Sequence, residues 1–247
     1  MFNTIFYEPI YNALIFILNT VPGGDVGLAI ILLTIIIKFI LLPLHRKAIV
    51  SQIKLKQLEP KINEIKEKYT DKQEQATKTF ELYKQEKINP LSGCLPILIQ
   101  LPIIFALYKV FLNGFSFENV DSIYKFITIP ESVNLNFLGF FDLSTRSIFL
   151  AVLAGVTQFF QIDLAVKRNP VQKNDNSMQA NISGMMNKQM RFLMPVLVGF
   201  ISYQISGAIA LYWSVNNIFT TVQEVIINKK MSKKKENQVL DAEIINK

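Results

Sequence analysis

The 247-residue chain has one cysteine, Cys94, and one histidine, His45. A lone cysteine excludes an intramolecular disulfide and a Cys-based metal site, and a lone histidine excludes a His pair, a His triad and a zinc constellation. Triad hydrolase and metalloenzyme chemistry is therefore disfavoured, and no metal or cofactor site is expected. No Walker motif or other phosphate-cradling glycine-rich loop is present, nor any repeat or low-complexity tract. Neither Lys nor Arg occurs before Lys38. That removes the basic start of a secretory signal and the Arg-rich composition of a transit peptide.

What the chain does have is apolar residues in blocks. Half of its residues are hydrophobic and its mean hydropathy is +0.29, which places it in the membrane class. Five segments, 26–44, 91–112, 147–166, 192–204 and 207–227, read as candidate spans. The fourth is short, and the Tyr203-Gln204-Ile205-Ser206-Gly207 break predicts a tight turn that makes segments four and five a hairpin.

The net charge of +7 and pI of about 9.3 suit nucleic acid or anionic lipid, and the placement of the charge decides between them. His45-Arg46-Lys47 opens a charged stretch that runs to Lys87, Lys167-Arg168 follows segment three, and Lys229, Lys230, Lys233, Lys234 and Lys235 follow segment five. Residues 113–146 are slightly acidic, with Glu118, Asp121, Glu131 and Asp142 against Lys125 and Arg146. Basic loops stay in the cytoplasm, so the N-terminus is expected outside and the C-terminus inside.

Residues 1–22 carry Phe2, Ile5, Phe6, Pro9, Ile10, Ala13, Leu14 and Ile17 at helical spacing. This predicts an amphipathic helix lying on the outer face, with a sixth span as the alternative. Between segments one and two, a stripe of Val50, Ile53, Leu58, Ile62, Ile65 and Tyr69 predicts one amphipathic helix kinked by Pro60. Asp71 followed by Glu74 caps a second, with Ala76, Phe80 and Tyr83 on its face and Asn89-Pro90 as its stop. Two matched stripes predict an antiparallel cytoplasmic hairpin over 45–90. The architecture expected is an all-α integral membrane protein: five transmembrane helices, the cytoplasmic two-helix hairpin and an N-terminal interfacial helix. Its parts are an interfacial helix at 1–23, a five-span core at 24–228 and a basic cytoplasmic tail at 229–247.

Lys38 is the only charge in segment one, and an ionisable residue inside a span marks a functional site by default. The bland alternative is that Lys38 snorkels, since it lies seven residues, about 10 Å of helix, before His45. Against that, Thr34 shares its face, Pro43 cannot donate to the carbonyl of Phe39, and other spans offer polar partners at helical spacing. These are Gln100, Thr157, Gln158, Gln161, Trp213, Asn217, Thr221 and Glu224. Polar faces converging on one cation imply a hydrated pocket, although any single Gln or Thr can equally serve interhelical packing.

The run NPLSGCLPILIQLPIIFALYKVF at 89–111 resembles the second core span of the YidC/Oxa/Alb membrane-protein insertases. The resemblance extends to TIIIKFILLPL, LKQLEPKI, MNKQMRFLMPVLVGF and ALYWSVNNIFTTVQEVII, in family order from about residue 24 to 235. It implies a minimal five-span member without the large extracytoplasmic domain or lipoprotein signal of some relatives. The family usually has Arg where this chain has Lys38, and the two differ because Arg keeps its charge and offers a fork of donors. The resemblance further implies a hydrophilic groove, open to cytoplasm and lipid, built here around Lys38, Thr34, Gln100, Gln158, Gln161, Trp213 and Asn217. It also makes the exposed side of spans two and four, bent by Pro96 and Pro102, a greasy path for a nascent segment. Met178, Met185, Met186, Met190 and Met194 suit varied apolar clients or adaptable packing alike.

The function implied is insertion of nascent membrane proteins in a bacterial plasma membrane without nucleotide hydrolysis. A small anion transporter or channel is the alternative, and a membrane-held ribosome or RNA tether a third. Anionic lipids are expected partners of the basic tail. The ribosome, the Sec translocon and signal-recognition machinery at the hairpin are the further partners admitted by the resemblance.

Overall fold

Asp25 sets where the first long helix begins. Its Oδ1 accepts from the N–H of Leu28 at 3.0 Å and its Oδ2 from the N–H of Leu138 at 3.2 Å, capping the helix and holding a distant loop to its start. The computed structural model describes residues 1–89, 95–112, 122–130, 132–168 and 178–245, and their side chains outside 95–97, 112, 168, 178–188 and 232–245. The helices are α1 (Glu8–Leu18), preceded by a π-helical turn Asn3–Tyr7, then α2 (Val26–Gln57), α3 (Glu59–Lys68), α4 (Lys72–Gln85) and α5 (Leu95–Leu112). After a two-stranded ribbon, β1 (Asn136–Phe137) and β2 (Phe141–Asp142), come α6 (Ile148–Arg168), α7 (Met178–Ile205) and α8 (Gly207–Ile245). By length and apolarity, α2 and α6 suffice to cross a membrane, and Leu98–Phe111 of α5 is a shorter apolar stretch.

The chain divides into two compact units, one of Met1–Ile40 with Gln100–Val222, the other of Leu41–Ile99 with Gln223–Lys247. In the first, α6 and α7 pack antiparallel along their length. A Cβ on Gly155 would stand 3.1 Å from the carbonyl oxygen of Pro195, and one on Gly199 3.3 Å from that of Ala151. Small residues here let two backbones approach as they do in membrane bundles. The junction of α7 and α8 is tighter than the five-residue break predicted, since Ser206 alone is non-helical. The turn is braced from outside: Gly207 donates to the Thr145 carbonyl at 2.8 Å and Ala208 to that of Leu143 at 3.1 Å. Helix α7 also begins well before 192, so the short fourth segment is the apolar end of a longer helix.

The N-terminal helix buries a different face from the one predicted. Ile10, Leu14 and Ile17 are inside as expected, but Phe2, Ile5 and Pro9 are exposed, while Tyr7, Tyr11, Asn12, Ile15 and Leu18 are buried. A helix apolar nearly all round has no unique stripe. Asn12 settles the azimuth: its amide donates to the Ser122 carbonyl and accepts from the Tyr124 N–H, both at 2.8 Å. Asn19 adds a bond to the Thr128 carbonyl at 2.7 Å.

In the second unit α3 and α4 form an antiparallel hairpin, with Lys61 near the start of α3 paired to Glu86 beyond α4 at 2.6 Å. Two expectations change. The break falls at Leu58, so Pro60 occupies the first turn of α3, where its missing N–H costs nothing, instead of kinking one helix. Ala76 and Phe80 are exposed; α4 meets α3 through Gln75, whose amide donates to the carbonyls of Lys66 and Tyr69. The Asp71 cap forms as predicted, accepting from the Gln73 N–H at 3.2 Å. Burial pushes the Tyr83 phenol up, beside exposed Phe80. Of the charges and turns read from the sequence, Pro90, Cys94, Glu118, Asp121 and Glu131 lie outside the described residues. The side chains of Pro96, Met178, Met185, Met186 and Lys233 to Lys235 lie outside the described side chains.

Candidate functional site

Lys38 sits four turns into α2 with only 3 % of its surface exposed. Its Nζ donates to Thr220 Oγ1 of α8 at 2.9 Å. Thr220 in turn donates to the Asn216 carbonyl at 2.7 Å, one turn back on its own helix. The lysine is thus bonded to a hydroxyl whose own proton is committed, which orients the oxygen lone pair toward the ammonium.

The polar track continues across α8. Asn217, 1 % exposed, donates from Nδ2 toward Thr157 Oγ1 at 3.3 Å and the Ala154 carbonyl at 3.4 Å, both on α6. The buried Oδ1 of Asn216 has no hydrogen-bond partner among the described residues. A buried acceptor left open costs about 1–3 kcal/mol, and a water or a passing polar group would relieve it. Ser202 Oγ on α7 and Gln161 Oε1 on α6 are buried and open in the same sense.

The seven residues expected in the groove do not form one cluster. Lys38 and Asn217 are joined through α8 to the same polar track. Thr34 is buried one turn from Lys38, but its hydroxyl turns back onto the Ile30 carbonyl at 2.6 Å. Gln158 and Gln161 lie half-buried on α6. Gln100 of α5 is bonded through its amide to the Tyr212 hydroxyl. Trp213 lines an apolar cleft of about 240 Å³ together with Phe105, Tyr108, Ile201, Ile209 and Tyr212, between α5, α7 and α8. Sequence reasoning missed Thr220, Asn216 and Tyr212. The signal for the first two was their i, i+4 spacing on α8, whereas Tyr212 sits in an apolar run that hides it.

The start of α2 in unit 1 is tightly packed. Gly27 lies against the Phe137 ring so closely that a Cβ there would overlap it, and a Cβ on Gly24 would stand 2.6 Å from the Ser132 carbonyl oxygen. Val26, Ala29, Ile30, Leu33 and Leu143 are almost wholly buried. Beyond Lys38, by contrast, α2 exposes Phe39 and Ile40 at 61 % and 69 %. Among the described residues no group of three His, Cys, Asp or Glu side chains converges.

A model of the family described as 60Kd inner membrane protein matches residues 17–235. The chain belongs to that family. Within it, the membrane protein insertase YidC of Oceanobacillus iheyensis is 33 % identical over 240 residues, covering 95 % of this chain and 86 % of that protein. The membrane protein insertase YidC of Fusobacterium nucleatum is 34 % identical, covering 91 % of this chain and 97 % of the relative. A crystal structure of an active YidC insertase with its first transmembrane domain resolved superposes with a TM-score of 0.53 at 24 % identity. It covers 90 % of this chain, which spans 45 % of that longer protein, and it shows the shared fold. These relatives are named for membrane-protein insertion.

Proposed function

We propose that this chain is a membrane-protein insertase of a bacterial inner membrane, working through the polar track at Lys38 without nucleotide hydrolysis. The single observation that carries the mechanism is the buried Lys38, held by Thr220 inside an otherwise apolar run. Five helices, α2, α5, α6, α7 and α8, are the spans, with the N-terminus outside and the α3–α4 hairpin and C-terminal tail in the cytoplasm. Helix α1 lies at the outer face, which is supported by the Asn12 and Asn19 bonds that tie it to residues 122–128.

The task is to move a short polar segment of a nascent protein across the bilayer. A carboxylate at mid-bilayer costs about 2.5–3.5 kcal/mol on insertion scales. One held about 5 Å from the lysine ammonium gains about 3 kcal/mol at an effective dielectric near 20. The two nearly cancel, so one well-placed cation lowers the barrier without trapping the cargo. The apolar cleft between α5, α7 and α8, and exposed Leu101, Phe105 and Leu197, support a path by which the hydrophobic part of the client enters lipid. Nascent membrane proteins are the substrates of this reading. Anionic lipid at the basic tail, and the ribosome, Sec translocon or signal-recognition machinery near the hairpin, are its remaining partners.

The test is insertion of a single-span client with an acidic tail into liposomes holding the purified full chain. Tail protection from protease is expected with wild type and Lys38→Arg, weak protection with Lys38→Ala, and none with Lys38→Glu. Normal insertion by a folded Lys38→Glu protein would remove charge attraction from the mechanism, and counterion-dependent flux without insertion would replace it with anion transport.

A further inference from the structure

A second site lies on the other side of α7, away from the Lys38 track. Helices α6 and α7 present stripes at four-residue spacing: Ala151, Gly155, Phe159, Asp163 and Lys167 on one, Arg191, Pro195, Gly199 and Tyr203 on the other. Because the helices run antiparallel, Ala151 meets Gly199, Gly155 meets Pro195 and Phe159 meets Arg191, whose guanidinium carbon is 5.6 Å from the ring centre. Flanking these stripes is an open groove of about 800 Å³, walled by Ile148, Val152, Val156, Phe160, Val196 and Phe200. Its lining is apolar apart from Tyr203, and the six wall residues are all exposed.

Both stripes turn charged at one end. Arg191 forms an ion pair with one oxygen of Asp163 through Nη2, and Lys167 reaches the other oxygen of the same carboxylate at 2.7 Å. Two cations share one anion, leaving a net charge of +1. Arg191 is also packed against Phe159 and Phe192, and its buried Nε–H has no acceptor among the described residues. An open guanidinium donor beside an exposed lysine calls for an oxyanion.

We infer that this groove binds one anionic phospholipid, with an acyl chain along the α6–α7 seam and the phosphate at Arg191 and Lys167. The length of the groove suits one acyl chain. From Ile148 to Phe160 the groove runs about 18 Å at 1.5 Å per residue, close to the roughly 15 Å of one leaflet's hydrocarbon. Charge complementarity selects the headgroup: the neutral zwitterion of phosphatidylcholine brings a second cation to a site that already has one in excess.

Native mass spectrometry of the full chain, released from nanodiscs holding equal phosphatidylglycerol and phosphatidylcholine with the same acyl chains, tests this. Wild type should retain one phosphatidylglycerol with about tenfold preference, the worth of one charge-assisted hydrogen bond. Arg191→Gln with Lys167→Gln should abolish the preference. Val156→Trp, or Val152→Trp if the first misfolds, should fill the groove from its rim and lose the retained lipid of either headgroup, with helicity unchanged. Excess inorganic phosphate should not displace the lipid. Equal retention in every variant, displacement by phosphate, or a dimer that Val156→Trp dissociates would each overturn the assignment.

Discussion

Gly27 offers the sharpest test of the packing that closes the end of α2. A methyl added there would lie 2.8 Å from Phe137 Cβ and still closer to two ring carbons. Rotating the Phe137 ring clears the ring carbons but leaves the Cβ contact, because Cβ is fixed by the backbone of β1. That backbone is itself held, since β1 pairs Phe137 with Phe141 and Leu138 donates to Asp25. Overpacking that a rotamer change cannot relieve falls at the upper end of the usual range, about 3 kcal/mol. For a chain of this length each kcal/mol moves the melting temperature by about 2–4 °C, so Gly27→Ala should melt about 6–12 °C below wild type in detergent. Partners at residue 137 should relieve it in steps. In a Phe137→Ala background the ring clash vanishes and the Cβ contact stays, so part of the cost remains. In Phe137→Gly the added cost of Gly27→Ala should fall to near zero, a coupling of about 2–3 kcal/mol, within the range seen for residues in contact. An unchanged melting temperature for Gly27→Ala, or the same loss in the Phe137→Gly background, would refute the close approach of α2 to the β-ribbon.

Thr220→Val keeps the shape of the side chain but removes the acceptor of Lys38, so acidic-tailed clients should insert about tenfold more slowly and stability should drop by about 1–3 kcal/mol. Thr220→Ser should behave as wild type, and Thr221→Val should be silent by comparison; equal effects at 220 and 221 would sink the Lys38 pairing. Asn12→Ala should strip partners from the Ser122 carbonyl and the Tyr124 N–H and free α1, read as earlier proteolysis between residues 1 and 20 and faster amide exchange at Tyr124. Protection equal to wild type would show that apolar packing alone holds α1.

The start of α2, the Asp71 cap of α4 and the isolation of Lys38 were all legible in the chain, whereas α4 ends at Gln85, before the Asn89-Pro90 stop expected for it. Each depends on local chemistry: an unsatisfied helix end, a breaker residue, or one charge in a long apolar run. Family membership was legible too, because it rests on ordered motifs that need no coordinates. Rotation of one helix against another was not. Thr220 and Thr221 are neighbours about 100° apart on α8, and only the placement of α2 shows that 220 meets Lys38. The same holds for α1, where Asn12 and not the apolar count decides the buried face, and for Gln100, whose partner Tyr212 lies 112 positions away. In water an apolar stripe identifies the face that must be buried. In lipid every face can be apolar at no cost, so the sequence by itself determined which segments are helices and where the buried charge lies. Tertiary structure decided which sides of those helices meet, because only close packing and hydrogen bonds distinguish faces that the bilayer treats alike.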